Sequence, residues 1–236
     1  MRGRHPALVL CLALVLGGSA TGAGAGTVRF FVDVEQVGEL RYEALPAAKP
    51  VMLAGQSGSV GVDQDSGLFD NVVVELFDSG TICADSFECY EIAYWAAFGT
   101  PAPVLLGTAG ASAPCLMSSG DSQHPSGVSS RQLYDWSPGF RMEADVFVGT
   151  ASVDRSVTMG VCAVDVPSDA GWSGCAVGAT WTTTESGEVV LRFCTDVEQL
   201  EVLGPAVGSW HHLVMETTDS VFTEEAHWGV IKAEYR

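Results

Sequence analysis

Two acidic residues, Glu143 and Asp145, have a spacing that carboxylate chemistry can use. Residues i and i+2 of a strand project from the same face, so the two carboxylates are expected side by side. Retaining hydrolysis of a glycosidic bond uses two carboxylates about 5 Å apart. The segment from Phe140 to Val148 alternates apolar and polar residues, which predicts a strand with one buried face. Because the same pattern places both carboxylates on a solvated outer face, we expect that role rather than catalysis.

Other patterns that could perform chemistry are weaker. No Gly-x-Ser-x-Gly nucleophile elbow or phosphate-binding glycine motif occurs, and Gly55-Gln56-Ser57-Gly58 lacks the required spacing. His211 and His212 are adjacent, so on a strand they project from opposite faces. We therefore expect that they do not bind one metal ion together.

A calcium site is one hypothesis for the loop Asp63-Gln64-Asp65-Ser66-Gly67. Alternating carboxylates in a glycine-containing loop can present oxygens to a hard cation, and Asp70 can add another. The segment lacks the terminal Glu of an EF-hand, since Val74 occupies the twelfth position. The alternative is a plain turn, the usual role of Asp, Ser and Gly together.

Tryptophans supply candidate sugar-binding surfaces, because an aromatic face stacks on the apolar face of a pyranose. We assign this role to Trp172 and Trp181, with Trp172 in a turn-like segment bracketed by Cys162 and Cys175. The alternative for Trp172 is a loop anchor packed into the body. Trp210 lies in an apolar strand and is expected in the core.

The N-terminal 25 residues have the pattern of a signal peptide. Arg2 and Arg4 precede an apolar run, residues 7–16, that is too short to span a bilayer, and Ala23-Gly24-Ala25 fits the cleavage pattern. The alternative is an uncleaved anchor. Cleavage predicts a secreted or extracytoplasmic protein with no further membrane insertion.

The charge excludes one class of partner. The chain has 11 Lys+Arg and 29 Asp+Glu, a net charge of −18. Residues 1–25 contain two of the arginines and none of the acids, so the remaining chain has a net charge of −20. Such an acidic surface repels phosphate backbones, and we expect no nucleic-acid partner.

Six cysteines follow the signal peptide, and an even number in an exported chain predicts disulfides. Fifteen pairings are possible. Sequence proximity favours Cys83 with Cys89 and Cys162 with Cys175, which leaves Cys115 with Cys194. A cysteine metal site is the alternative, but no Cys-x-x-Cys occurs.

The chain after the signal peptide is predicted to be all-β. Short β-branched or aromatic runs alternate with Gly, Pro, Ser and Asp clusters. Besides Phe140–Val148 these runs are Val28–Val34, Val72–Phe77, Val157–Val164, Val189–Cys194, Trp210–Glu216 and Val230–Tyr235. Many short strands of this kind predict a two-sheet antiparallel jelly-roll sandwich, which the cysteines would brace.

Several segments resemble the concanavalin A-like lectin/glucanase superfamily, including its laminin G-like members. They are Asp85-Ser86-Phe87-Glu88 followed by Trp95, Gly139-Phe140-Arg141-Met142-Glu143-Ala144-Asp145, and Gly208-Ser209-Trp210-His211. Two segments that resemble the end of the family pattern, Phe31-Val32-Asp33 and Asp70-Asn71-Val72-Val73-Val74, come first in this chain.

This order has two explanations. One is a single circularly permuted domain over residues 26–236, in which residues 26–78 supply the family's last strands and residues 79–236 the earlier ones. The other is two incomplete domains. We favour permutation, because sandwich termini often lie close together and half a sandwich would expose strand edges.

The resemblance implies a secreted domain that binds carbohydrate or a cell-surface partner. Family hydrolases carry Glu-x-Asp-x-x-Glu on one strand, but Val148 stands where the last Glu belongs. We therefore expect no catalysis, with a divergent glycoside hydrolase or polysaccharide lyase as the alternative. A structural piece of a cell-surface assembly is the second alternative.

Overall fold

The structure is a computed structural model of the 236-residue chain. It describes residues 25–56, 67–85, 87, 94–100, 102–106, 115–117, 120, 125–147, 156–168, 174–183, 188–205 and 208–218. The predicted signal peptide, apart from Ala25, and the predicted strand Val230–Tyr235 lie outside these residues.

All regular structure in the described residues is β-strand. The fifteen strands are β1 Gly26–Val32, β2 Glu35–Tyr42, β3 Val51–Gln56, β4 Leu68–Leu76, β5 Gly80–Asp85, β6 Trp95–Phe98, β7 Val104–Leu106, β8 Cys115–Met117, β9 Ser126–Ser130, β10 Phe140–Phe147, β11 Ser156–Cys162, β12 Cys175–Thr183, β13 Val189–Cys194, β14 Gln199–Leu203 and β15 Trp210–Thr218. None of the described residues forms a helix, and so none forms a helix able to cross a membrane.

The strands form two antiparallel sheets, which confirms the predicted all-β sandwich. The larger sheet has the order β2-β1-β15-β10-β4-β8-β7, and β5 pairs with β4 beside this path. The smaller sheet has the order β14-β13-β12-β11-β3-β9-β6. Strand β2 contacts β13 and β14, so these edges of the two sheets lie together.

Alternating side chains fill the space between the sheets. In β10, Phe140, Met142, Ala144 and Val146 are fully buried, and the intervening residues are half-buried on the other face. This pattern follows the period of two that the sequence predicts. Phe30 of the larger sheet stacks on Phe193 of the smaller one, with ring centroids 4.2 Å apart. We call the face of the larger sheet turned away from this core the outer face.

Of the first four strands, β1 and β4 lie inside the larger sheet, β3 lies inside the smaller sheet, and β2 forms an edge of the larger one. Strand β1 pairs with β15, with Phe31 opposite Val214 and Val32 opposite Leu213. Strand β4 pairs with β10, and β3 lies between β11 and β9. These strands therefore complete the sheets that the later strands begin. The permuted order stays a prediction, because it also presupposes the family resemblance.

The first strand, predicted over Val28–Val34, lies two residues closer to the N-terminus, over Gly26–Val32. Strand β1 ends at Val32, and Val32 pairs with Glu35 across a two-residue turn at Asp33 and Val34. Both turn residues have positive φ, 49° and 70°. Positive φ at both positions defines the type I′ turn that fits the twist of a tight hairpin. A valine is a poor residue for this conformation, so the strand prediction extended through it.

Candidate functional site

The polar side chains of β10 meet those of its neighbours on the outer face. Asp145 is the register partner of His212 in β15 and of Asp70 in β4. Glu143 lies one outward position away and is also half-buried. The predicted placement of Glu143 and Asp145 on the same face, opposite the core, is confirmed.

Asp145 is held by two donors. His212 Nδ1 lies 2.8 Å from Asp145 Oδ1, and Asn71 Nδ2 donates to Asp145 Oδ2 at 2.7 Å. On the other side of the ring, His212 Nε2 lies 3.9 Å from Glu143 Oε2. We call these four residues the Asp145 cluster.

A β-bulge brings Asn71 into the Asp145 cluster. The pairing of β4 with β10 shifts register between Glu143 and Asp145, and Asn71 has a φ of 49°. Asn adopts this left-handed conformation more readily than most residues. The bulge therefore turns the Asn71 amide toward Asp145 and lets Val72 return to the core side.

Glu143 forms an ion pair with Arg141. Arg141 Nη2 lies 2.9 Å from Glu143 Oε2, and Arg141 Nη1 lies 2.9 Å from Glu216 Oε2. Partial burial lowers the pKa of Arg141, but the two carboxylates hold it above its ordinary value. The guanidinium therefore stays charged and fixes the Glu143 carboxylate.

Arg141 and Glu216 belong to a row of alternating charges across the outer face. In register, the row runs from acid to base to acid through Glu39, Arg29, Glu216, Arg141 and Glu75. Opposite charges directly across strands stabilise a sheet modestly. The row accounts for these residues structurally, so we place the candidate site at the Asp145 cluster instead.

An aromatic pair lies next to the Asp145 cluster. Phe147 and Trp210 are register partners two residues along from Asp145 and His212, and their ring centroids are 5.6 Å apart. Both rings are half-buried and pack against Leu68 and Cys115. Trp210 therefore packs against this small apolar cluster and not in the main core, since its strand position faces outward.

His211 projects to the opposite side of β15 from His212, as expected. His211 Nδ1 lies 2.6 Å from Asp33 Oδ2, and its Nε2 lies 2.8 Å from Ser209 Oγ. We call Ser209, His211 and Asp33 the Ser209 chain. Adjacent histidines thus belong to two separate hydrogen-bonded groups.

The structure corrects one of the two predicted ligand-binding tryptophans. Trp181 is 1% exposed and lies in the core with Val177 and Ala179. A ring this buried cannot stack on a sugar at the surface, so the prediction for Trp181 is wrong. Trp172 lies outside the described residues, and its role stays a prediction.

The structure describes only one of the three predicted calcium ligands. Asp63 and Asp65 lie outside the described residues. Asp70 is fully buried, and its Oδ1 accepts a hydrogen bond from the backbone N–H of Asn71. Within the described part of the chain, no group of three or more His, Cys, Asp or Glu side chains is arranged to hold a metal ion.

No disulfide joins any two of the five described cysteines. Cys162 and Cys175 are register partners across β11 and β12. Cys115 lies on β8 of the larger sheet and Cys194 on β13, beside the opposite edge of the sandwich. The structure does not bring Cys115 and Cys194 together. Cys89 lies outside the described residues, so its pairing with Cys83 stays a prediction.

Burial raises the pKa values of three of these thiols. It raises the pKa of Cys83 and of Cys115 to about 11, with a further contribution from Asp85 and Asp70 respectively. It also raises the pKa of Cys175 well above its usual value. Since the thiolate is the reactive form, Cys83 and Cys115 are poor nucleophiles in the folded protein.

The sequence interpretation missed the roles of Asn71, Ser209 and Asp33. The bulge at Asn71 left no signal besides an Asn within an apolar strand. The spacing of Ser209 and His211 was visible, but Asp33 lies 178 residues away from His211 in the chain. Only the pairing of β1 with β15 brings them together.

Comparisons with models of protein families, with curated proteins and with solved structures find no match to this chain. The class of this protein is thus defined by its fold alone, which is all-β with a two-sheet antiparallel sandwich.

Proposed function

We propose that this protein binds carbohydrate on the outer face of its larger sheet. One observation carries the proposal: the Trp210–Phe147 aromatic pair lies one outward position from the hydrogen-bonded Asp145 cluster. Lectin sites combine these two elements, because an aromatic ring packs against sugar C–H groups and nearby polar groups bind the hydroxyls.

The polar groups suit a neutral sugar. Asp145 accepts hydrogen bonds, while Asn71 and His212 present both donors and acceptors. Glu143 and Glu216 add negative charge nearby, and the chain as a whole has a net charge of −18. We therefore propose a neutral glycan as the ligand and not an acidic polysaccharide, which this field would repel.

Binding is favoured over hydrolysis because both carboxylates are engaged within the protein. Glu143 is paired with Arg141, and Asp145 accepts hydrogen bonds from His212 and Asn71. A carboxylate acid must reach the glycosidic oxygen, and its partner must reach the anomeric carbon or a water. The resemblance to the lectin/glucanase superfamily, with Val148 in place of the final Glu, supports the same choice.

We also propose that the protein is exported and that Cys162 and Cys175 form a disulfide after export. Register partners in an antiparallel pair have Cα atoms about 4.5–5.5 Å apart, which suits a disulfide. The two thiols would lose two protons and two electrons to a disulfide oxidant such as oxidised glutathione. Peptide mass mapping of the oxidised protein should find Cys162 linked to Cys175, and a Cys175–Cys194 link would contradict this pairing.

A glycan array with the Trp210→Ala variant tests the binding function. We expect wild type to retain neutral glycans and Trp210→Ala to bind about 2- to 12-fold more weakly, since an aromatic contact contributes about 0.5–1.5 kcal/mol beyond the apolar area that it buries. Tyr94→Ala is the matched control, because the Tyr94 side chain is 67% exposed and lies away from the outer face. Its backbone carbonyl accepts a hydrogen bond from the Arg131 N–H at the edge of the smaller sheet. Thermal melts establish that both variants fold.

Three outcomes of the same experiment separate the alternatives. Retention lost in EDTA would support the calcium hypothesis at residues 63–70. Cleavage of β-glucans in the wild-type wells, lost in Glu143→Gln, would replace lectin function with hydrolysis. No retention of any glycan would overturn the proposal and leave a structural role.

A further inference from the structure

The Ser209 chain has the connectivity of an acid–base relay. Ser209 Oγ lies 2.8 Å from His211 Nε2, and His211 Nδ1 lies 2.6 Å from Asp33 Oδ2. Both distances lie within hydrogen-bond range. A serine hydroxyl, an imidazole and a carboxylate are therefore joined in this order through the two different ring nitrogens.

The position of each proton follows from Asp33. Partial burial raises the pKa of Asp33, but hydrogen bonds from the His211 side chain and the His212 backbone, with attraction from both imidazoles, hold it below its ordinary value. An ionised carboxylate only accepts hydrogen bonds, so Nδ1 of His211 carries the proton. In the neutral ring Nε2 is then the acceptor, and the Ser209 hydroxyl donates to it.

Backbone contacts hold the relay in place. The Asp33 N–H donates to the His212 carbonyl at 2.9 Å, and the His212 N–H donates to Asp33 Oδ1 at 2.9 Å. The tight turn at Asp33 and Val34 is thus tied to the first residues of β15. The His211 side chain is only 12% exposed, whereas Ser209 is exposed at the start of the strand. The base is fixed by its surroundings and the hydroxyl is accessible to a substrate.

We propose that Ser209 is a nucleophile for acyl transfer, with His211 as its general base and Asp33 as a positioning residue. Ser209 Oγ would form a bond to the carbonyl carbon of an ester while its proton moves to His211 Nε2. The C–O bond to the alcohol then breaks, and the proton passes from Nε2 to the leaving alcohol. A water oxygen then bonds to the carbonyl carbon of the acyl-serine while a water proton moves to His211 Nε2. The C–Oγ bond breaks, the acid leaves, and Nε2 returns the proton to Ser209 Oγ.

The surroundings of Ser209 define the substrate class as an ester with a small acyl group. Ser209 lies at an exposed turn after Gly208, which has a φ of 83°. An exposed nucleophile selects for an accessible carbonyl and against a long acyl chain that needs a deep apolar cavity. This activity is independent of the proposed carbohydrate binding, because the Ser209 chain and the Asp145 cluster share no side chain.

Reaction with a fluorophosphonate probe and hydrolysis of p-nitrophenyl acetate test the proposal. We expect the probe to attach to the Ser209 peptide in wild type, and Ser209→Ala to lower the ester hydrolysis rate by about 100-fold or more. Ser79→Ala is the matched control, because exposed Ser79 donates to Asp78 and should react as wild type does. Labelling at another residue, or equal hydrolysis by Ser209→Ala, would overturn the proposal.

The positioning role of Asp33 is tested by measuring kcat and KM separately for Asp33→Asn. Asp33→Asn should lower kcat by about tenfold or more with little change in KM, because the base is misoriented while the substrate site is intact. A change in KM alone would overturn the positioning role. Site mapping in wild type does not depend on the folding of any variant, so it decides the nucleophile in every case.

Discussion

Two Asp–His pairs lie side by side in this protein and differ in what faces the second ring nitrogen. His211 and His212 each present Nδ1 to an aspartate, at 2.6 Å from Asp33 and 2.8 Å from Asp145. The Nε2 of His211 meets the Ser209 hydroxyl, whereas the Nε2 of His212 faces the Glu143 carboxylate at 3.9 Å. The first arrangement can accept a proton from a nucleophile, and the second has no such proton to accept.

Strand geometry places the two adjacent histidines in two different hydrogen-bonded groups. Because neighbouring residues on a strand project to opposite faces, His211 contacts Asp33 in the β1–β2 turn, whereas His212 lies on the outer face with Asp145. A single backbone segment therefore supports both the proposed acyl-transfer group and the proposed sugar-binding group. The aspartate sets the tautomer in each pair, and the partner at Nε2 sets the chemistry.

Removing Asp145 is expected to have the largest effect on stability. Asp145→Ala leaves the half-buried donors of His212 and Asn71 without their acceptor, which should cost about 2 kcal/mol in free energy of unfolding. Urea denaturation measures this loss. Asp33→Ala serves as the matched variant, and because Asp33 is 54% exposed it should lose less. Equal losses in free energy of unfolding would show that the greater burial of the Asp145 pair does not make it more stabilising.

Replacing Val34 should stabilise the turn that carries Asp33. A valine at a φ of 70° is strained, and Asp-Gly is a preferred pair for a type I′ turn. Val34→Gly should raise the free energy of unfolding by about 0.5–1 kcal/mol after the entropy cost of glycine. Chemical denaturation provides the measurement, and a decrease would show that Val34 is not strained.

The pH dependence of stability should distinguish Asp33 by a smaller effect. The lowered pKa of Asp33 means that its ionised form stabilises the folded state. This contribution is present above the pKa of an unfolded Asp and disappears as pH falls through the lower folded value. Because the side chain is exposed, solvent screening limits it to about 0.5 kcal/mol. Wild type and Asp33→Asn should therefore differ at neutral pH and converge in acid, and a constant difference would contradict the ionised pair.

The fold was largely predictable from the sequence, because alternation reports burial directly. The period of two in β10 correctly placed Glu143 and Asp145 opposite the core. The same rule could have corrected the tryptophans, since Trp181 shares its face with the buried Val177 and Ala179. Trp210 shares its face with Glu216, which points outward, so it belongs to the outer face.

The groups around the histidines were not predictable, because they depend on pairing between distant strands. Asp33 reaches His211 only through the register of β1 with β15. Asn71 reaches Asp145 only through a bulge in β4, which shifts the register by one residue. Sequence spacing alone carries no information on either contact.

Nitrogen-15 NMR of the two imidazole rings reports which ring nitrogen of His211 and of His212 carries the proton. At a pH where both rings are neutral, the structure requires the proton on Nδ1 in His211 and in His212. Ser209→Ala should shift the Nε2 resonance of His211 and leave that of His212 unchanged. A proton on Nε2 of His211, or an Nε2 resonance unaffected by Ser209→Ala, would show that His211 does not accept a hydrogen bond from Ser209.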